Sequence, residues 1–200
     1  MRERLTLTRK RRVNIIQQRI EKAVTELLEA VGEDPGRQGL RATPQRVARM
    51  YAELFSGLGL DPREAIDAVF DEESADPVVL RHLPFYSMCE HHLLPFFGSA
   101  RLAYIPNGKI AGISKLARAL EVACRRPQVQ ERLTGQVADA IQAALNPQGV
   151  AVELEAEHLC MAMRGVQKPG ARVVTTALRG EFGSGLWSRE SLLALLRGEG

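Results

Sequence analysis

The sequence predicts an α+β protein, helical at its start and mixed strand and helix afterwards. Three observations carry this. Apolar residues recur at helical spacing between Ile15 and Val31. Val152, Leu154, Ala156, His158, Cys160 and Ala162 alternate with Glu153, Glu155 and Glu157, which is the two-residue period of a strand. The order along the chain is helices, then strands, then two helices, then two strands, an arrangement that keeps helices and sheet segregated.

The first helix carries Ile15, Ile16, Ile20, Val24, Leu27, Leu28 and Val31 and stops at Gly32. A polar turn with Asp34-Pro35-Gly36 follows. Thr43-Pro44 opens the second helix, with Thr43 as cap and Pro44 in the first turn, and its stripe is Val47, Met50, Tyr51, Leu54 and Phe55. Asp61-Pro62 predicts a short third helix reaching Val69. Beyond residue 77 the texture changes to strands at Phe85–Met88 and Ser99–Ile105, followed by a Pro106-Asn107-Gly108 turn. Ser114 is placed to cap a helix running to Arg126. Pro127 interrupts, and a further helix carries Val129, Leu133, Val137 and Ile141. After the Asn146–Gly149 loop come the alternating strand, extended through Ala162, and a second strand over Ala171–Leu178. A helix over Ser188–Arg197 ends the pattern. The chain therefore divides into a basic arm, 1–12, a helical region, 13–76, and a strand-containing region, 77–200.

Composition is that of an ordinary globular protein, with 200 residues, 45% hydrophobic and 26% charged. The net charge of +3 is concentrated at the start, in Arg2, Arg4, Arg9, Lys10, Arg11 and Arg12, which read as a solvated, flexible arm. No apolar run approaches the roughly 18 residues that span a bilayer. No apolar segment follows the N-terminal charges as in a secretory signal. Three cysteines cannot all pair within the chain. The expectation is a cytoplasmic protein with reduced thiols and no membrane partner.

The chemistry is concentrated in Cys89-Glu90-His91-His92 and His158-Leu159-Cys160. These hold three of the four histidines and two of the three cysteines. Thiolate and imidazole together select Zn²⁺. Cys89 and His92 have a spacing that a turn closes around one ion, with Cys160 as third ligand. Three protein ligands leave a fourth position open, as in catalytic zinc sites. A zinc ion lowers the pKa of bound water to about 7, and His91 and His158 are the candidate proton shuttles. On a strand, His158 and Cys160 would share a face. Two plainer readings stand beside this one. The four side chains Cys89, His92, Cys160 and His158 would also suit a closed structural zinc, and free thiols are often just buried apolar groups. Cys124 is of that last kind, on a helix stripe with Leu116, Leu120 and Ala123. Glu90 reads as a solvated or structural residue, and His82 has no partner in the sequence.

A second constellation is cationic. Lys115 and Arg118 share a face at the start of the helix at Ser114, where free N–H groups and the helix dipole already favour anions. Arg164 would bring a third cation from beside Cys160. Together they suit a phosphate, although a solvated charged face has the same pattern. Glu131, preceded by Gln130, offers a carboxylate that accepts two N–H groups from a base edge such as guanine. From spacing alone a surface glutamate is the simpler reading.

In order, the blocks Ser87–His92, Ala103–Pro106, Gly112–Arg118, Arg126–Thr134 and His158–Gly165 resemble the GTP cyclohydrolase I family. Gly39-Leu40 and Thr43–Ala48 resemble its helical N-terminal part, and the resemblance covers roughly residues 14–197. It implies the tunnelling fold, an antiparallel sheet with two helices packed on it, preceded by the helical region. It implies opening of the GTP imidazole ring by water at C8, release of formate, and reclosure to 7,8-dihydroneopterin triphosphate, the first committed step toward folates and tetrahydrobiopterin. It also implies a decamer of two face-to-face pentamers with active sites between subunits. By motif, Cys89, His92 and Cys160 match the Zn²⁺ ligands, and His91 and His158 match the acid–base histidines. Glu131 matches the guanine anchor, with Gln130 beside it at the substrate. Lys115, Arg118 and Arg164 match the triphosphate ligands, Ser114 lies near the ribose as a catalytic candidate, and Arg46 is a further candidate for the phosphates. The chain departs from the family's pattern at Arg81-His82-Leu83-Pro84 and at Gly183–Trp187. A zinc nucleobase deaminase is disfavoured, because neither His-x-Glu nor Pro-Cys-x-x-Cys occurs. A zinc-stapled nucleic-acid module lacks the spacing of zinc fingers, and the expectation is no nucleic-acid partner.

Overall fold

A computed structural model describes residues 15–73, 76–180 and 188–198. The basic arm and Gly183–Trp187 lie outside the described residues. The chain forms two compact units that divide after Leu60.

The first unit holds α1 (Gln17–Ala30) and α2 (Thr43–Leu54). Gly32 ends α1 as expected: it takes a positive φ of 88°, and its N–H donates to the Glu29 carbonyl. Thr43 does not cap α2. Ala42 occupies the cap, and Thr43 is already helical. Its N–H donates to the Leu40 carbonyl at 2.8 Å, so a preceding turn leads the chain into the helix and no side-chain cap forms.

In the second unit Asp61 accepts from the Arg63 N–H and opens a 3-10 helix, Pro62–Ala65. The predicted helix to Val69 stops there. Val69–Asp71 is instead strand β1, paired antiparallel with β4 (Lys109–Ala111). A partner strand decides the conformation of three residues too few to decide it themselves. The main sheet has the order β5-β2-β3-β6-β7. β2 is Val78–Cys89, β3 is Pro95–Ile105, β5 is Pro127–Gln128, β6 is Gly149–His158 and β7 is Val173–Arg179. The pairs β2–β3, β3–β6 and β6–β7 are antiparallel, and β5 adds to β2 in parallel. β2 is longer than its apolar run suggested. Pro84 sits in it without costing a ladder bond to a second neighbour, because β5 reaches β2 only at Met88 and Cys89. A bulge lies between Leu80 and Leu83, with His82 at φ 58°, within the segment that departs from the family's pattern.

Helices α3 (Ile113–Cys124) and α4 (Gln130–Leu145) cover one face. Leu116, Leu120, Leu133 and Ile141 pack there with Leu102, Tyr104 and Leu154. Each such fully buried side chain stabilises by about 1.5–3 kcal/mol. The other face takes α6 (Arg189–Arg197), whose Leu192 and Leu196 meet Ala103, Ile105 and Ala151. Glu153, buried on that face, is held by Arg101 at 2.9 Å and by Nε of Arg197 at 2.8 Å, which pins α6 to the sheet. Ser114 does not cap α3. Gly112 is the cap residue and Ser114 stands exposed in the first turn.

β6 ends at His158, and Cys160 lies on the single turn α5 (Leu159–Ala162), not on the strand. The expected alternation through Ala162 fails because the ladder runs out. Ala156 is the last residue with a partner on β7, and His158, opposite Phe96, is the last with one on β3. Among the described residues no helix is long and apolar enough to cross a membrane.

Candidate active site

Strand register assembles the site. β2 and β3 form a hairpin whose turn begins at Cys89: the Cys89 N–H donates to Leu94, and the Leu93 N–H returns to Cys89 at 2.8 Å. β3 then carries Phe96 beside that turn, and the β3–β6 ladder sets His158 opposite Phe96. Two segments far apart in sequence thus meet at one end of the sheet.

There the Sγ atoms of Cys89 and Cys160 are 4.0 Å apart, and Nδ1 of His92 is 3.9 Å from the Cys89 sulfur. The donor atoms of Cys89, His92 and Cys160 all lie within 4.8 Å of one another. That suits one ion at the usual zinc–sulfur and zinc–nitrogen lengths of about 2.0–2.3 Å. His91 is exposed, with Nδ1 4.0 Å from the same sulfur. Burial and the neighbouring Cys89 sulfur push the Cys160 thiol up from its ordinary pKa, while Arg164 acts in the opposite sense. A cation between the sulfurs would relieve that repulsion by displacing the protons.

His158 is half-buried and stacked on Phe96, with ring centroids 4.6 Å apart and planes 1° from parallel. Its Nε2 is 2.7 Å from Oε1 of Gln130. Burial lowers the His158 pKa, with the Glu131 carboxylate opposing, which favours the neutral ring. Glu131 is exposed in the first turn of α4. Gln130, expected beside it against a substrate, instead turns its amide into the interior.

The segment between the two helices is held tightly. The last carbonyls of α3 accept from side chains: Ser87 Oγ donates to Cys124, Gln128 Nε2 to Ala123, and Arg126 to Val122. The Glu90 N–H reaches the Gln128 carbonyl at 2.9 Å. Arg132 forks onto the Glu90 carboxylate and holds it below the usual carboxylate range. Glu90 is therefore a tie between the cysteine–histidine turn and α4. The sequence offered no signal for that tie beyond two opposite charges.

Lys115 is half-buried at the head of α3 and ion-paired with Asp67, whose carboxyl it depresses, with Arg118 adding to the effect. Asp67 was not foreseen, since it precedes the strand that replaces the predicted helix. Arg118, Ser114 and Arg164 are exposed. Arg46 is exposed on α2, in the first unit. Cys124 is buried, as its helix stripe implied, and burial pushes its pKa up to about 12.

Two thiols and one imidazole limit the class. They favour zinc-like ions, and a group of three donors leaves a position for water or substrate, as catalytic metal centres do. Sequence comparison narrows that class to one family. The GTP cyclohydrolase I profile matches residues 20–197. The GTP cyclohydrolase 1 of Streptococcus thermophilus is 56% identical over 182 residues, covering 90% of this chain and 97% of the relative. That of Streptococcus agalactiae serotype V is 54% identical over the same shares. That of Streptococcus pyogenes serotype M1 is 51% identical over 191 residues, 95% of this chain and 98% of the relative. The chain belongs to the GTP cyclohydrolase I family.

Proposed function

We propose that this chain converts GTP and water to 7,8-dihydroneopterin triphosphate and formate, the entry to folate and pterin biosynthesis. Membership of the family supports the reaction. The observation that carries the chemistry is the close group of Cys89, His92 and Cys160, whose donor set fits Zn²⁺. Cys89, His92 and Cys160 would hold the zinc, which would supply Lewis acidity to activate water.

The other roles belong to the protein's own side chains. His158, held in one plane by Phe96, exchanges protons with the purine ring. His91, exposed beside the Cys89 sulfur, serves the solvent side. Glu131 accepts the N–H groups of the guanine edge. Lys115, Arg118 and Arg164 bind the triphosphate, with Ser114 near the ribose. The Lys115–Asp67 pair is exposed enough to water for a phosphate to compete with it. Four antiparallel strands backed by α3 and α4 support the tunnelling fold. An oligomer, a decamer of two pentamers working in the cytoplasm, completes the reading.

The closed structural-zinc alternative is less well supported. His158 stands outside the mutually close donor group, and its Nε2 is given to Gln130. The test is Cys160→Ser. Bound zinc and formate release from GTP should fall together, each to under about a tenth of wild type. Normal turnover in a zinc-free variant would remove the metal from the reaction.

A further inference from the structure

Gln130 is a polar side chain only 2% exposed, and its amide has four close partners. Nε2 lies 3.0 Å from the Leu154 carbonyl, 2.9 Å from the Val173 carbonyl and 3.1 Å from Thr175 Oγ1. Backbone carbonyls only accept, so the nitrogen end of the amide must face β6 and β7. Oε1 is thereby fixed toward His158, 2.7 Å away. An amide oxygen also only accepts, so the proton in that contact belongs to Nε2 of His158.

The surrounding hydroxyls agree with this assignment. Thr134 Oγ1 donates to the Gln130 carbonyl at 2.7 Å, so it accepts from Thr175 Oγ1, also 2.7 Å away. The two N–H groups of Gln130 are then shared among three acceptors, and a flipped amide would leave the Leu154 and Val173 carbonyls facing an oxygen. Phe96 fixes the plane of the imidazole, and Gln130 fixes its rotation within that plane.

We propose that Gln130 is a positioning residue that holds His158 as the Nε2–H tautomer and leaves Nδ1 as the nitrogen that exchanges a proton with substrate. This rests on the reading of His158 as the acid–base group. It also changes what Gln130 does for the reaction, since its polar atoms are committed to the protein and to His158.

A double-mutant cycle on the zinc-loaded full chain tests the proposal. Formate release from GTP gives kcat and KM for wild type, Gln130→Met, His158→Ala and the double variant. Gln130→Met should lower kcat on the order of 10- to 100-fold while zinc content and KM change little. In the His158→Ala background the same change should cost less than about twofold. An equal loss in both backgrounds, or a loss carried by KM, overturns the positioning role and leaves the reading of His158 intact. Full turnover by His158→Ala overturns that reading and the inference with it. If Gln130→Met does not fold, wild type decides. Nitrogen-15 spectra of histidine-labelled enzyme, assigned by loss of signals in His158→Ala, should show Nε2–H, and an Nδ1–H tautomer overturns the proposal.

Discussion

Cys124 and His158 show which residues can be read from sequence. Cys124 sits on a helical stripe with Leu116, Leu120 and Ala123, and all four are buried. Helical periodicity is local, so the stripe was sufficient. Its raised pKa, about 12, leaves on the order of one thiol in ten thousand ionised at pH 8. Iodoacetamide at pH 8 should therefore leave Cys124 unlabelled in the folded protein and label it in denaturant, as read by peptide mass spectrometry. Prompt labelling of folded protein would mean the thiol is not where the fold puts it. The surroundings of His158 were not legible in the same way. Phe96, Gln130 and Thr175 come from three other elements, and nothing near His158 in sequence names them. For the same reason the sequence does not name the partners of Gln130 on β6 and β7, and Glu90, readable as solvated or structural, takes the structural role through Arg132.

At the scale of elements, α1, α2, α4 and α6 are recognisable from their periodicity and stops, to within about two residues of their observed ends. The misread elements are those whose state depends on a partner. Val69–Asp71 is a strand because Lys109–Ala111 lies beside it, and β6 stops where its neighbours stop. Register is the element-scale property on which the site depends, because a one-residue slip of β3 against β6 would turn Phe96 and His158 to opposite faces. Gly98 maintains that register. A Cβ at this position would lie 1.8 Å from the Glu155 carbonyl oxygen and 2.7 Å from the Ala156 Cα, both backbone atoms of β6. Gly98→Ala should lower the midpoint of thermal unfolding by at least about 4 °C and reduce turnover along with it. An unchanged midpoint in a calorimetric scan would show that β3 and β6 are not this close.

For the molecule as a whole, the ordered motifs carried more than any single spacing did. A cysteine–histidine turn, a cation-headed helix, a carboxylate at the next helix and a histidine–cysteine pair recur in one order, and the fold sets the turn and the pair together at one end of a sheet. The donors could be named from sequence. Whether three or four of them belong to one ion could not, because that depends on where His158 directs its nitrogen. We propose that Cys89, His92 and Cys160 bind the metal and that His91 and His158 stay free for protons. X-ray absorption at the zinc edge of the loaded enzyme tests this directly. The prediction is two sulfur ligands and one imidazole per zinc, with one further light atom. Two imidazoles, or fewer than two sulfurs, would contradict it.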